Sequence, residues 1–252
     1  MDWNYAIVTD SNRSLVERLK TCRRKSDSLV YAARLIIAVA IRIALRLYNR
    51  FDIVGREHLP RDGSFVLVAN HASHLDAVAL LAALPLRSLH SAYPLAARDY
   101  FCANRLRLAL TTIIANVMLF DRDARGKQTL KLCQQMLAKP NNIFLIFPEG
   151  TRSIDGRIGR FRRGVGLLLA GTAYRVVPCY LDGTGRALPK GAWIPRPERI
   201  RLTIGEARTY ERIEQTDDGA LRVCADLRSA VLALSSENWL PATQPISQEF
   251  NR

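Results

Sequence analysis

The chain has 252 residues, of which 48% are hydrophobic and 24% charged, proportions that exclude a disordered chain and a multi-spanning membrane protein. That length suits one large α/β domain with a substantial core. The 37 Lys and Arg against 23 Asp and Glu leave a net charge of +14, which favours anionic partners: nucleic acid, an acidic lipid surface, or phosphate-bearing substrates and acidic carriers.

Residues 1–27 are polar and close on the basic run Lys20, Arg23, Arg24 and Lys25. They lack a basic stretch leading straight into an apolar one and a small-residue cleavage site, so no secretory signal is expected. From Leu29 to Leu47 the residues are almost all apolar, interrupted by Arg34, Arg42 and Arg46, with no Gly or Pro to break a helix. On a helical wheel the three arginines fall within an arc of roughly 120°. This predicts an amphipathic helix with a wide apolar face. A spanning helix needs about 20 predominantly apolar residues, whereas the uninterrupted apolar core here runs only from Leu35 to Ile41. The expectation is therefore an in-plane helix with its arginines against anionic headgroups, the alternative being that the apolar face packs on the following domain. Residues 1–49 are expected to form this membrane-interface segment and 50–252 the α/β domain.

Beyond Arg50, short apolar runs alternate with helical stretches, as in βα units around a parallel sheet. Strands are predicted at 65–69, about 92–96, 117–121, 143–147, 176–181 and 199–205, and helices at 75–84, 101–115, 127–138, 164–174 and 218–236. The fold class is α/β: a largely parallel central sheet flanked by helices and preceded by the amphipathic helix. Pro189 to Pro197 reads as a surface loop. The five cysteines, Cys22, Cys102, Cys133, Cys179 and Cys224, have no CxxC pairing and no His at metal-ligand spacing, and read as reduced, mostly buried residues of a cytosol-facing protein.

Two loops carry chemistry. Asn70-His71-Ala72-Ser73-His74-Leu75-Asp76 follows the strand predicted at 65–69, at the carboxyl end where open α/β sheets place ligands. A His paired with a carboxylate suits proton removal from an alcohol, because the carboxylate fixes the tautomer and stabilises the imidazolium. Residues five apart on a regular helix point about 140° away from each other, so His71 and Asp76 meet only if a turn lies between them. The same turn permits a plainer reading, in which Ser73-x-x-Asp76 is a capping box serving only the helix N-terminus. The second loop, Phe147-Pro148-Glu149-Gly150-Thr151-Arg152-Ser153, again ends a buried strand and presents Glu149, Thr151 and Arg152. Gly150 permits close backbone approach or a positive φ, and the planar fork of Arg152 suits a phosphate. The plainer reading is a tight turn with solvated polar residues. Arg152, Arg157, Arg160, Arg162 and Arg163, opposed by Asp155, precede an apolar helix, which predicts an anion funnel aided by the helix dipole.

Together the histidine-aspartate motif, Phe147 to Ser153, Phe161-Arg162-Arg163-Gly164 and Val176-Val177-Pro178 resemble the four ordered blocks of the glycerolipid acyltransferases, closest to the 1-acylglycerol-3-phosphate (lysophosphatidate) acyltransferases. The resemblance covers about residues 50–206. It implies His71 as general base, Asp76 as its orienting partner, and Arg122, Glu149, Gly150 and Arg152 as acceptor-binding residues, with Thr151 presented by the same loop. Many members carry Ala-Lys-x-Glu-Leu after the second strand where this chain reads Ala96-Ala97-Arg98-Asp99-Tyr100, so either Arg98 substitutes from one position along or the contact is absent.

The expected function is acyl transfer from acyl-CoA or acyl-carrier protein to the free hydroxyl of 1-acylglycerol-3-phosphate, in phosphatidic acid and phospholipid biosynthesis, at the cytoplasmic face of a membrane. The expected partners are a lysophospholipid acceptor, an acyl thioester donor that includes acidic acyl-carrier protein, and an anionic membrane surface. No metal or organic cofactor is implied. Backbone donors near Gly150 or at the helix start after His71 are expected to hold the developing oxyanion. The alternatives are a lysophospholipid acyltransferase for another headgroup, a non-catalytic lipid-binding relative, and a basic nucleic-acid-binding protein. The last predicts a binding module or a basic stripe interleaved with exposed aromatics, and the sequence shows neither.

Overall fold

A computed structural model describes residues 28–97, 118–120, 126–153 and 155–235. The predicted helix at 101–115 lies outside these residues, as do Arg98, Arg122, Cys22 and Cys102.

The described elements run α1 (Ser28–Tyr48), β1 (Asp52–Val54), β2 (Phe65–Ala69), α2 (Leu75–Ala83), β3 (Ala92–Ala97), β4 (Met118–Phe120), α3 (Gly126–Leu137), β5 (Ile143–Ile146), α4 (Arg163–Leu169), β6 (Arg175–Asp182), α5 (Thr184–Ala187), β7 (Arg201–Ile204) and α6 (Asp217–Ala233). The strands form one sheet in the order β1-β7-β6-β2-β5-β3-β4. Among the described strands β6 and β7 pair antiparallel and the other pairings are parallel. The largely parallel sheet expected from the sequence is thus the one observed. Three-residue β1 was not expected, being too short to show an alternating pattern.

Strand β2 explains why its sequence reads as an unbroken apolar run. All five of its residues are buried, because helices cover both faces of the sheet. Val66 and Val68 point to one face with Phe144, Ile146 and Val176, beneath Leu137 of α3, Leu169 of α4 and Leu227 of α6. Phe65, Leu67 and Ala69 point to the other with Leu145, Val177 and Cys179, beneath Ala79, Leu80 and Ala83 of α2. Each fully buried Val, Leu or Phe contributes about 1.5–3 kcal/mol of transfer free energy. Cys133, Cys179 and Cys224 are buried free thiols, and burial pushes the Cys133 thiol up to about 12.

Helix α4 ends at Leu169 rather than at 174 as the sequence suggested. The amide of Ala170 closes the last turn on the carbonyl of Gly166. Gly171 then takes φ 70, the left-handed conformation that commonly ends helices, and its amide leaves for the carbonyl of Tyr210. Where α4 crosses α6, a Cβ on Gly166 would sit 2.0 Å from the carbonyl oxygen of Ala220. Gly166→Ala is accordingly expected to force the helices apart and to destabilise the domain by about 1–3 kcal/mol. A thermal melt indistinguishable from the parent would refute this close approach.

Helix α1 is docked on the domain. Leu45 is buried with Ala187 and Ile200, and Ile41 of the same helix packs against this cluster together with Leu75, Val78 and Ala82 of α2. The expected boundary between residues 49 and 50 therefore runs through a packed contact. Arg42 is turned inward, its guanidinium donating to the carbonyl of Leu84 just past α2, where partial burial and then Arg56 lower its pKa. Arg42 was expected among the headgroup-facing arginines; the free carbonyls at the end of α2 attract a cation more locally. The opposite side of the helix leaves Ile36, Val39, Ile43 and Leu47 exposed. The helix thus packs on the core along one side and keeps an apolar stripe on the other.

Candidate active site

The site forms because β2 and β5 are parallel neighbours, with Val68 opposite Ile146. The segments leaving their carboxyl ends, 70–76 and 147–153, therefore emerge side by side. On the other flank Asn70 caps the pairing with β6: its Nδ2 donates to the carbonyl of Leu181 and its Oδ1 accepts from the Leu181 amide, at 2.9 and 2.7 Å.

Helix α2 starts only at Leu75, so residues 70–74 supply the turn that brings His71 and Asp76 together. The Nδ1–H of His71 donates to Asp76 Oδ2 over 2.8 Å. The same oxygen accepts from the amides of Ala72 and Ser73 at 2.7 and 2.8 Å. Asp76 is fully buried while the His71 side chain keeps 20% of its surface. Because a carboxylate only accepts, Nδ1 carries the proton in the neutral ring and Nε2 keeps a lone pair. Asp76 thus holds the imidazole and ties down the turn before α2. Ser73 Oγ meanwhile accepts from the amide of Leu75 and donates to the carbonyl of Leu188, at 3.2 and 2.8 Å.

The second loop closes on the first through His71. The ring of Phe147 stacks on the imidazole with centroids 4.2 Å apart and 20° between planes. The amide of Ser153 donates to the carbonyl of His71 at 2.8 Å. Glu149, 7% exposed, accepts the His71 amide on Oε1 and the Gly159 amide on Oε2, both at 2.8 Å. Burial raises the pKa of this carboxyl, while the two backbone donors pull it down. The two oxygens of the expected acceptor-binding Glu149 thus tie its own loop to the His71 turn and to the segment before α4. The sequence carried no signal of this clamp, or of the Phe147 stack.

Glu149→Gln isolates the clamp. The amide offers one acceptor oxygen, so its NH₂ faces either the His71 or the Gly159 amide, and an unpaired buried donor costs about 1–3 kcal/mol. The expected result is a lowered melting temperature with reduced turnover. An unchanged melt would show that the loops are held together by other means.

Gly150 adopts φ 69, and a Cβ there would lie 2.5 Å from Nε of Arg162, which donates to the carbonyl of Glu149 at 3.0 Å. Glycine is required at this turn for both reasons. Thr151 is exposed and Arg152 half-buried on the same loop. Arg162 and Arg163, two of the five arginines expected to form the funnel, have local partners. Arg162 is bound to the loop backbone, Arg163 pairs with Asp217 at 2.9 Å, and seven-residue α4 is a short source of dipole. Spacing along the chain could not show that these cations have separate local partners.

Six of the backbone amides in the region expected to hold the oxyanion have partners within the protein. The amides of His71, Ala72, Ser73 and Leu75 are bound to side chains, and those of Asp76 and Gly150 to backbone carbonyls. Strands β3 and β4 run parallel to β5 and end at the same edge of the sheet; Arg98 and Arg122, which follow them, lie outside the described residues.

Residues 50–182 match the family model described as Acyltransferase. The chain is 35% identical over 152 residues to the chloroplastic 1-acyl-sn-glycerol-3-phosphate acyltransferase of Brassica napus, covering 60% of this chain and 42% of that one. It is 30% identical over 207 residues to the 1-acyl-sn-glycerol-3-phosphate acyltransferase of Limnanthes alba, covering 80% and 67%. The alignment to the Brassica relative thus takes in about two fifths of that protein's length. The fold matches the crystal structure of the 1-acyl-sn-glycerophosphate acyltransferase of Thermotoga maritima with a TM-score of 0.60, 20% identity, and coverage of 87% of this chain and 88% of that one. Over more than half its length, and through the histidine-aspartate turn joined to the Phe147–Ser153 loop, this chain belongs to the Acyltransferase family.

Proposed function

We propose that this protein transfers a fatty acyl group from an acyl thioester to the free hydroxyl of 1-acylglycerol-3-phosphate. The 2.8 Å bond between His71 Nδ1 and the buried Asp76 carboxylate carries this reading, because it leaves Nε2 as a base in a partly open site. His71 Nε2 takes the acceptor's hydroxyl proton as that oxygen attacks the thioester carbonyl. The tetrahedral intermediate collapses with expulsion of the thiolate, which regains the proton from the imidazolium as free thiol. The reaction so written forms no acyl-enzyme and uses no metal or organic cofactor.

The names of the Brassica and Limnanthes relatives support 1-acylglycerol-3-phosphate as the acceptor. In this proposal Arg152 meets its phosphate, with Thr151, Gly150, Arg122 and Arg98 assigned to the same end of the substrate. Glu149 is assigned to holding the loop that presents Arg152. The donor is acyl-CoA or acyl-carrier protein, the net charge of +14 favouring either anionic carrier. Among the described residues no helix is long and apolar enough to cross a membrane, and the exposed stripe on α1 supports peripheral attachment at a membrane, which the proposal assigns to the cytoplasmic face.

The test is incubation of the full chain in liposomes with acyl-CoA or acyl-carrier protein and a panel of lysolipids, reading products by mass. Phosphatidic acid formed from 1-acylglycerol-3-phosphate is the expected product; acylation confined to other headgroups would redirect the acceptor, and no transfer from either donor would overturn the reading. Arg152→Ala is expected to raise the KM for the acceptor by about 10- to 10²-fold, the equivalent of about 1.5–3 kcal/mol for a charge-assisted contact. Lys at this position restores only part, having no planar fork. An unchanged acceptor KM and kcat in Arg152→Ala would remove the phosphate role.

A further inference from the structure

Seven exposed large hydrophobic side chains cluster on two elements of the described structure: Ile36, Val39, Ile43, Leu47 and Tyr48 on α1, and Trp193 and Ile194 on the loop after α5. Trp193 and Ile194 are 73% and 79% exposed. Adjacent large apolar residues on a loop tip mark an interaction surface more strongly than scattered ones.

The two elements are stapled together. Tyr48 Oη donates to the carbonyl of Pro195 at 3.0 Å. Nδ2 of Asn49, itself buried, donates to the carbonyls of Arg196 and Glu198 at 2.8 and 3.1 Å. The Arg50 guanidinium donates to the carbonyl of Pro197 at 3.1 Å. The loop tip therefore holds a fixed position beside the end of α1 where Leu47 and Tyr48 are exposed. Its root is at the site, since the carbonyl of Leu188 accepts the hydroxyl of Ser73, two residues from His71. Exposed Lys190, Arg196, Arg199, Arg46 and Arg50 surround this region, with Glu198 opposing them and Arg199 3.6 Å from Asp52.

We infer that the Trp193–Ile194 tip is a second membrane-inserting element, which enters an anionic lipid surface together with the exposed stripe of α1 and sets the roll of the domain so that the His71 end meets the bilayer. An apolar tip ringed by cations complements such a surface: Trp partitions to the headgroup boundary, and Lys and Arg meet anionic lipid. A single helix lying in the plane leaves rotation about its own axis weakly fixed; a contact off that axis restrains it. The inference rests on the reading that the protein works at a membrane surface.

Trp3 and Trp239 replaced by Phe leave Trp193 as the single tryptophan, and flotation with phosphatidylglycerol-containing vesicles carrying brominated acyl chains then reads both steps at once. The expected result is co-flotation with a blue shift and bromine quenching of Trp193. In the parent background, Trp193→Ala with Ile194→Ser is expected to weaken vesicle partition about tenfold or more, with turnover on a short-chain, water-soluble acceptor unchanged. Co-flotation with Trp193 emission still characteristic of water would overturn the loop's role and leave the membrane reading standing. Failure to float would overturn the membrane reading and the loop with it. Emission already blue-shifted without vesicles and reversed on dilution would show a second copy of the chain covering the tip, and would overturn the inference as well.

Discussion

His71→Ala loses turnover by about 10²- to 10⁴-fold, the usual range for removal of a general base, while the domain keeps its fold. The acceptor alcohol is a poor nucleophile, and proton removal as it attacks is the step that Nε2 supplies. The fold is expected to survive because the amide and carbonyl of His71, which bind Glu149 and Ser153, are backbone groups that alanine retains. What is lost from the structure is the stack on Phe147 and one of three donors to Asp76. His74→Ala is the control: His74 lies in the same turn, at the N-cap of α2, and its loss is expected to be milder. Steady-state turnover with a far-ultraviolet spectrum and a thermal melt checks both variants. Full activity in a folded His71→Ala protein would leave Asp76 as a helix cap and end the mechanism.

The parts of the fold that were legible in the sequence were those where one physical cause acts locally. Phe65–Ala69 and Ile143–Ile146 read as strands because burial on both faces makes their apolar runs continuous. Helix α6, expected at 218–236 and observed at Asp217–Ala233, starts where Thr216 caps its first turn, accepting from the amide of Gly219 at 3.1 Å, with Asp217 and Asp218 following. Gly171, the signal that ends α4, was present in the sequence, but the choice of a glycine stop over a continued apolar run depends on Tyr210, far along the chain.

The site was legible to the extent that its pieces carry their own chemistry. His71, Asp76 and the Phe147–Ser153 loop are recognisable by residue type and by their place after strands. The pairing of His71 with Asp76 was legible as well, but the contacts between the two loops were not, because they follow from the adjacency of β2 and β5, which sequence spacing does not encode. Glu149 illustrates this. Its place beside a glycine and an arginine in a site loop suggests a substrate ligand, and it does not announce that its two oxygens also reach the His71 turn and the segment before α4. Arg42 and Arg162 are cations whose net charge pointed to lipid or phosphate, and each is spent on a backbone carbonyl instead.

Asp76→Asn separates the two tasks of Asp76, and its expected effect is a fall in kcat of about 10- to 10²-fold with a smaller loss of stability. The amide oxygen of Asn occupies the place of Oδ2 and accepts from His71 Nδ1 and from the amides of Ala72 and Ser73, so the turn and the tautomer are both kept. What disappears is the negative charge opposite the imidazolium formed when Nε2 takes the substrate proton. A hydrogen bond to a charged group contributes about 1.5–3 kcal/mol, and each 1.4 kcal/mol is a factor of ten, which gives the stated range. The new NH₂ lands where Oδ1 is buried without a hydrogen-bond partner among the described residues, and that unmet donor accounts for the stability cost. Asp76→Ala is different in kind, because it also strands the amides of Ala72 and Ser73 and should lower the melting temperature well beyond the Asn variant. If Asp76→Asn kept full kcat while Asp76→Ala lost both stability and activity, the carboxylate would be serving the helix start alone, and the charge opposite His71 would have no part in catalysis.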